Sequence, residues 1–133
     1  ITNSELALKL EIPATTIFDR VKKLEQNGII SKRVAIVNPE NIGKETIAFV
    51  SLSLNGHSAK NVQKFWKAIK TLPEVLECYN ITGEYDYLLK VVLRNREDLE
   101  RFVVGELTPL PGVARLQTSL VLSEVKSSIK LPI

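Results

Sequence analysis

Between residues 46 and 125 the apolar positions switch back and forth between a two-residue and a helical period, and that order leaves few ways to fold. "TIAFVSLSLNG" puts Ala48, Val50, Leu52 and Leu54 on one face, with Ser51 and Ser53 on the other, as a half-buried strand does. "AKNVQKFWKAIKTL" follows as an amphipathic helix with an apolar stripe of Val62, Phe65, Trp66, Ile69 and Leu72, and core packing accounts for Trp66 there. "EVLECYNIT" and "YDYLLKVVLR" read as two strands joined at Gly83. "REDLERFVVGELTPL" reads as a helix with Leu99, Phe102, Val103, Leu107 and Leu110 inward. "GVARLQTSLVLSEV" closes the series as a strand with Leu116, Leu120 and Leu122 on one face. Strand, helix, strand, strand, helix, strand predicts an α+β, ferredoxin-like βαββαβ unit over residues 46–133, with both helices on one sheet face. The second sheet face is apolar enough to need cover, and a second copy of the chain is the expected cover.

Two short helical patterns precede this unit. In "TNSELALKLEI", Leu6, Ala7, Leu8 and Leu10 form a broad apolar face; Asn3 or Ser4 offers an N-cap, and Thr2 with Glu5 fits a capping box. Ile12-Pro13 ends the segment. "ATTIFDRVKKLEQNG" places Ile17, Val21 and Leu24 on one face with Phe18 beside them, and Asn27-Gly28 supplies the stop. Two short helices with a tight connection predict a helix-turn-helix over residues 1–37, leaving through a basic, β-branched exit strand. Asn38-Pro39 and Gly43 mark a linker at 38–45.

On the second helix, Thr15, Thr16, Asp19, Lys22, Lys23 and Gln26 point away from the Ile17/Val21/Leu24 stripe: threonines near the helix start can meet base edges or phosphates of DNA, and the lysines can neutralise phosphates. For a lone helix an ordinary solvated face is the better reading, and the helix before it reverses that preference. Net charge is +3, and residues 1–38 carry six Lys/Arg against four Asp/Glu while 39–133 carry twelve against eleven. The small excess thus leans toward the helical part.

Several classes drop out. No apolar run approaches the roughly 18 residues a membrane span needs. The single cysteine, Cys78, forms no internal disulfide and suits a reducing cytoplasm; it reads as an inert, half-buried thiol. His57 is the only histidine, which argues against a metal site and against histidine-dependent catalysis, and no phosphate-binding glycine motif or other cofactor signature occurs. Carboxylates are scattered apart from Glu84 and Asp86, so the chain reads as a non-enzyme. An RNA-binding module would need exposed aromatics on its central strands, whereas residues 87–93 are mostly aliphatic. Ile1 opens a chain without methionine, so its true start is expected upstream.

The stretch "NITGEYDYLLK" joins the two middle strands. Gly83 suits a tight connection, and Glu84 and Asp86 flank it among Tyr85 and Tyr87. Local chemistry leaves a plain hairpin and a small-molecule site equally open.

Helix pair, linker and βαββαβ unit together resemble the Lrp/AsnC, or feast/famine, family. The resemblance covers the whole chain and rests on "ATTIFDRVKKLEQNGII", "ITGEYDYLLK" and "LPGVARLQTSLVLSEVK" in that order. It implies a cytoplasmic, sequence-specific DNA-binding transcriptional regulator, dimeric through the C-terminal domain and assembling further to octamers, that responds to an amino acid bound between neighbouring dimers. Carried over by residue, it implies DNA contacts at Thr15, Thr16, Asp19, Arg20, Lys22 and Lys23 and effector contacts at Gly83, Tyr85, Asp86 and Tyr87, completed near Thr118, Leu120 and Val121. Against the family pattern the first helix of the helix-turn-helix lies outside this chain. Pro13-Ala14 also stands where many members carry Ser-Pro. The rival reading is a metabolite-sensing oligomerisation module that regulates an enzyme without binding DNA.

Overall fold

The computed structural model describes residues 1–132. It divides into two compact units, Ile1–Val37 and Asn38–Ile133.

In the first unit, α1 spans Asn3–Leu10 and α2 spans Ala14–Gln26. Thr2 is the N-cap of α1, so the capping box forms one residue before Asn3: the Glu5 amide donates to Thr2 Oγ1, and the Thr2 amide donates to the Glu5 carboxylate, each at 3.1 Å. Glu11 ends α1 in the left-handed region at φ 54°, and its amide donates to the Ala7 carbonyl. Burial is narrower than the apolar pattern suggests. Ala7 and Ile17 are buried, whereas Leu8 is 81% exposed, and Leu10, Phe18 and Leu24 are also exposed. Two helices close only one seam, so each turns the rest of its apolar surface outward. Beyond Gly28 the expected exit strand does not form: residues 31–37 join no sheet among the described residues, and a 3-10 turn at Pro39–Ile42 follows.

The second unit is a four-stranded antiparallel sheet in the order β2-β3-β1-β4, where β1 is Thr46–Leu54, β2 Val75–Asn80, β3 Tyr87–Leu93 and β4 Val113–Leu120. Helices α3 (Ala59–Ile69) and α4 (Arg96–Phe102) supply its core. Ala48, Val50, Leu52 and Leu54 of β1 are all buried, as the alternation predicts, against Phe65 and Ile69 of α3 and Leu99 and Phe102 of α4. Register places Leu52 opposite Tyr87 on one side and opposite Leu116 on the other, so Tyr87 and Leu116 share the helix-facing side. Three details differ from the sequence reading. Trp66 is 47% exposed, because Phe65 and Ile69 take the contact line and the next position points about 100° away. The last helix is α-helical only to Phe102 and continues as a π turn over Val103–Leu107, which still buries Leu107. β4 stops at Leu120, leaving Leu122 93% exposed.

Candidate functional site

The connection between β2 and β3 is wider than a tight hairpin. The strands end at Asn80 and resume at Tyr87, and the Ile81 amide donates to the Asp86 carbonyl at 2.8 Å to close the loop. Asn80 Nδ2 donates to the same carbonyl at 2.9 Å. Gly83 sits at φ +109°, a region that favours glycine, and open space surrounds it. Among the described residues no acceptor takes the amides of Gly83 or Glu84.

Asp86 does two things at once. Its amide donates to the Leu52 carbonyl at 3.0 Å, and its Oδ2 accepts the Leu54 amide at 2.9 Å. Leu54 N–H points to the same side of β1 as Leu52, where the backbone of the turn is no longer alongside. The carboxylate therefore continues the ladder for one more bond. A register shift between Ser53 and Leu54 on the β4 side accompanies this strand end. His57, in the loop after β1, has Nε2 3.9 Å from Asp86 Oδ2. Asp86 Oδ1 has no donor among the described residues.

Tyr85 reaches across to β4. Its hydroxyl donates to Gln117 Oε1 at 3.0 Å, the Arg115 guanidinium lies 5.0 Å from its ring centroid, and Arg115 Nη2 donates to the Glu84 carbonyl at 3.2 Å. Tyr87 turns the other way into the core, where its ring lies 4.7 Å from Phe65 and its hydroxyl accepts from Trp66 Nε1 at 2.8 Å.

Thr118 and Leu120 lie on the helix-facing side of β4, in a cleft of about 490 Å³ shared with Arg96, Glu97, Glu100 and Val104. Val121 faces the opposite side of the sheet beside Ile47, Phe49 and Lys90, and its amide donates to the Ile47 carbonyl at 2.9 Å. Within one chain, then, Gly83, Tyr85 and Asp86 cluster at one end of the sheet with Gln117 and Arg115. Tyr87, Thr118, Leu120 and Val121 point elsewhere. Gln117, Arg115, Asn80, His57 and the Leu54 amide were missed from sequence. Asn80 adjoins the turn in the chain and pairing register brings the others to it, though the alternation of β4 could have put Arg115 and Gln117 on one face.

In the first unit, Thr15, Asp19, Arg20, Lys22 and Lys23 are exposed on α2 and Thr16 is half-buried. Pro13 precedes α2 without a side-chain cap, so no side chain covers the first-turn amides beside Thr15 and Thr16. Cys78 is half-buried against the core, and burial pushes its thiol up, in keeping with an inert role.

Comparison with known proteins fits both units. Residues 1–31 match a winged helix-turn-helix DNA-binding family, and residues 47–131 match the Lrp/AsnC ligand binding domain. The chain is 32% identical to the transcriptional regulator AzlB of Bacillus subtilis, over 100% of this chain and 85% of that protein. It is also 32% identical to the leucine-responsive regulatory protein of Escherichia coli, over 100% of this chain and 81% of that one. Among solved structures, a transcriptional regulator from Neisseria meningitidis in complex with L-Met superposes with a TM-score of 0.92 at 32% identity, covering 99% of this chain and 85% of that one. A feast or famine regulatory protein from M. tuberculosis complexed with L-methionine gives 0.82 at 27% identity, over 98% and 86%. With matches of this extent over both units, the chain belongs to the Lrp/AsnC family of transcriptional regulators.

Proposed function

We propose that this regulator reads duplex DNA with α2 and senses a free α-amino acid at the turn between β2 and β3. Residues 1–37 serve DNA binding, 38–45 connect, and 46–133 serve effector binding and oligomerisation, with no catalytic role. Lys22 and Lys23 neutralise phosphates, while Thr15, Thr16 and Arg20 supply base or groove contacts, with Asp19 among them on the same helix. The observation that carries the effector reading is the turn itself. The uncommitted amides of Gly83 and Glu84 suit a carboxylate, and Asp86 keeps Oδ1 for an ammonium while Oδ2 holds Leu54. Methionine in two relatives supports an amino acid as the class of ligand. Because Thr118, Leu120 and Val121 lie apart from the turn within one chain, neighbouring copies supply them to the rest of the cleft, while Tyr87, buried against Phe65, backs the turn from the core.

The chain works as a dimer, and the dimers assemble further to octamers, in the cytoplasm. Phe49, Tyr79 and the trailing Leu122, Val125 and Ile129 are exposed apolar surface that a second copy would cover.

Calorimetry with a panel of amino acids that includes methionine tests the effector reading. Asp86→Ala alone is ambiguous, since it also strands the Leu54 amide at a cost of about 1–3 kcal/mol in stability. Asp86→Asn keeps an acceptor for Leu54 and removes the charge. It is expected to leave thermal unfolding near wild type and to weaken amino-acid binding roughly ten- to a hundredfold. An asparagine variant that binds as tightly as wild type removes Asp86 from the site.

A further inference from the structure

α3 carries three lysines, Lys60, Lys64 and Lys67, with a fourth, Lys70, at its C-cap, and no acidic residue lies between Ala59 and Lys70. Lys60, Lys64 and Lys67 follow i, i+4, i+7 spacing, so they form one ridge about 10 Å long. Phe65 and Ile69 hold the opposite face of the same helix in the core, which aims that ridge directly outward. All four lysines are exposed, and none takes part in an ion pair among the described residues.

Local electrostatics works against this arrangement. Lys60/Lys64 and Lys64/Lys67 are like-charge neighbours on a helix surface, and Lys60 sits in the first turn, where the helix dipole disfavours a cation. The other helix of the same unit is built differently. Asp98 of α4 pairs with Arg101 of the same helix and with Arg94 just before it, and the Arg94 hydrogen bond, before any other cause, holds that carboxyl below the usual carboxylate range. Nor is the unit basic as a whole. Setting the α3 lysines aside, residues 39–133 carry eight basic against eleven acidic side chains. Positive charge is thus gathered on one helix face of an otherwise acidic unit.

We propose that the outward ridge of α3 is a second, sequence-independent contact for the phosphate backbone of duplex DNA, made by the ligand-binding unit itself. The inference rests on the DNA-binding reading above, which already supplies a polyanion as partner. A row of point-charge ammoniums with flexible stems and no bidentate arginine fits backbone neutralisation rather than base reading. A duplex longer than one operator offers contacts of this kind more phosphates.

The test compares the intact protein with a Lys60→Gln/Lys64→Gln/Lys67→Gln variant, in which glutamine preserves helix propensity. Affinity is followed against salt concentration on a duplex of one operator length and on one several times longer. On the long duplex the variant is expected to show a log–log salt slope shallower by about 2 to 3 per chain, with short-duplex binding retained. An unchanged slope on the long duplex, with short-duplex binding intact, overturns the ridge alone. A variant that alters mass in solution and leaves the slope alone assigns the ridge to contacts between copies, which also overturns it. A wild-type protein with no salt-sensitive retention of any duplex, its own promoter included, removes this inference together with the DNA-binding reading.

Discussion

Reversal of Lys22 and Lys23 to glutamate is expected to lower duplex affinity at least about a hundredfold at physiological salt, on specific and unrelated sequences alike. Both side chains stand exposed on α2, each seven residues, or about two turns, past one of the two threonines proposed to meet base edges. A dimer changes four charges at once, and each lost phosphate contact removes about 0.9 from the salt slope. Replacing Thr15 or Thr16 with alanine should act differently, shifting preference at individual base pairs by about 1–3 kcal/mol while the salt slope holds. Competition binding on a set of single-base variants separates the two behaviours. A lysine reversal that altered preference and spared overall affinity would show that α2 lies on DNA in another orientation.

The largest expected loss of stability comes from Phe65→Ala. Phe65 is fully buried at the centre of the α3–sheet seam, tilted 49° against Tyr87. Truncation of such a ring costs about 3–5 kcal/mol, a large share of the stability of a typical domain. Thermal unfolding of the second unit should fall by more than about 10 °C. The neighbouring Trp66→Phe should cost far less, since much of that side chain already faces solvent and only one hydrogen bond is lost. Similar midpoints for the two variants would mean that α3 contributes little to the core.

That contrast also shows where sequence reading stops. Alternation in β1 could be read directly because one face of a sheet is dry and the other is not, so Ala48, Val50, Leu52 and Leu54 are buried together. Phe65 and Trp66 were not separable in the same way. Both lie on an apolar stripe of the helix, and which one meets the sheet depends on the angle at which α3 crosses it. The turn at Gly83 was legible as a glycine-dependent connection, and Asp86 as an unusual residue within it. Its partner was not legible, because the Leu54 amide belongs to a chain segment 32 residues away and is a backbone group with no signature in sequence. The same holds for Gln117 and Arg115, which reach Tyr85 and Glu84 only through the β1–β4 register. The exit strand failed for a simpler reason: β-branched residues favour an extended backbone, yet a strand requires a neighbour to pair with.

The hydrogen bond from Trp66 to Tyr87 gives the protein its own optical gauge. The chain holds one tryptophan, so its emission comes from a single place without labelling. That indole is bonded to the first residue of β3, directly after Asp86, and is half open to solvent, where emission responds to small changes in hydration. Titration of an amino acid into dilute protein can therefore be followed in a fluorimeter, and Tyr87→Phe, which removes the bond and keeps the ring, tells whether the signal travels through that contact.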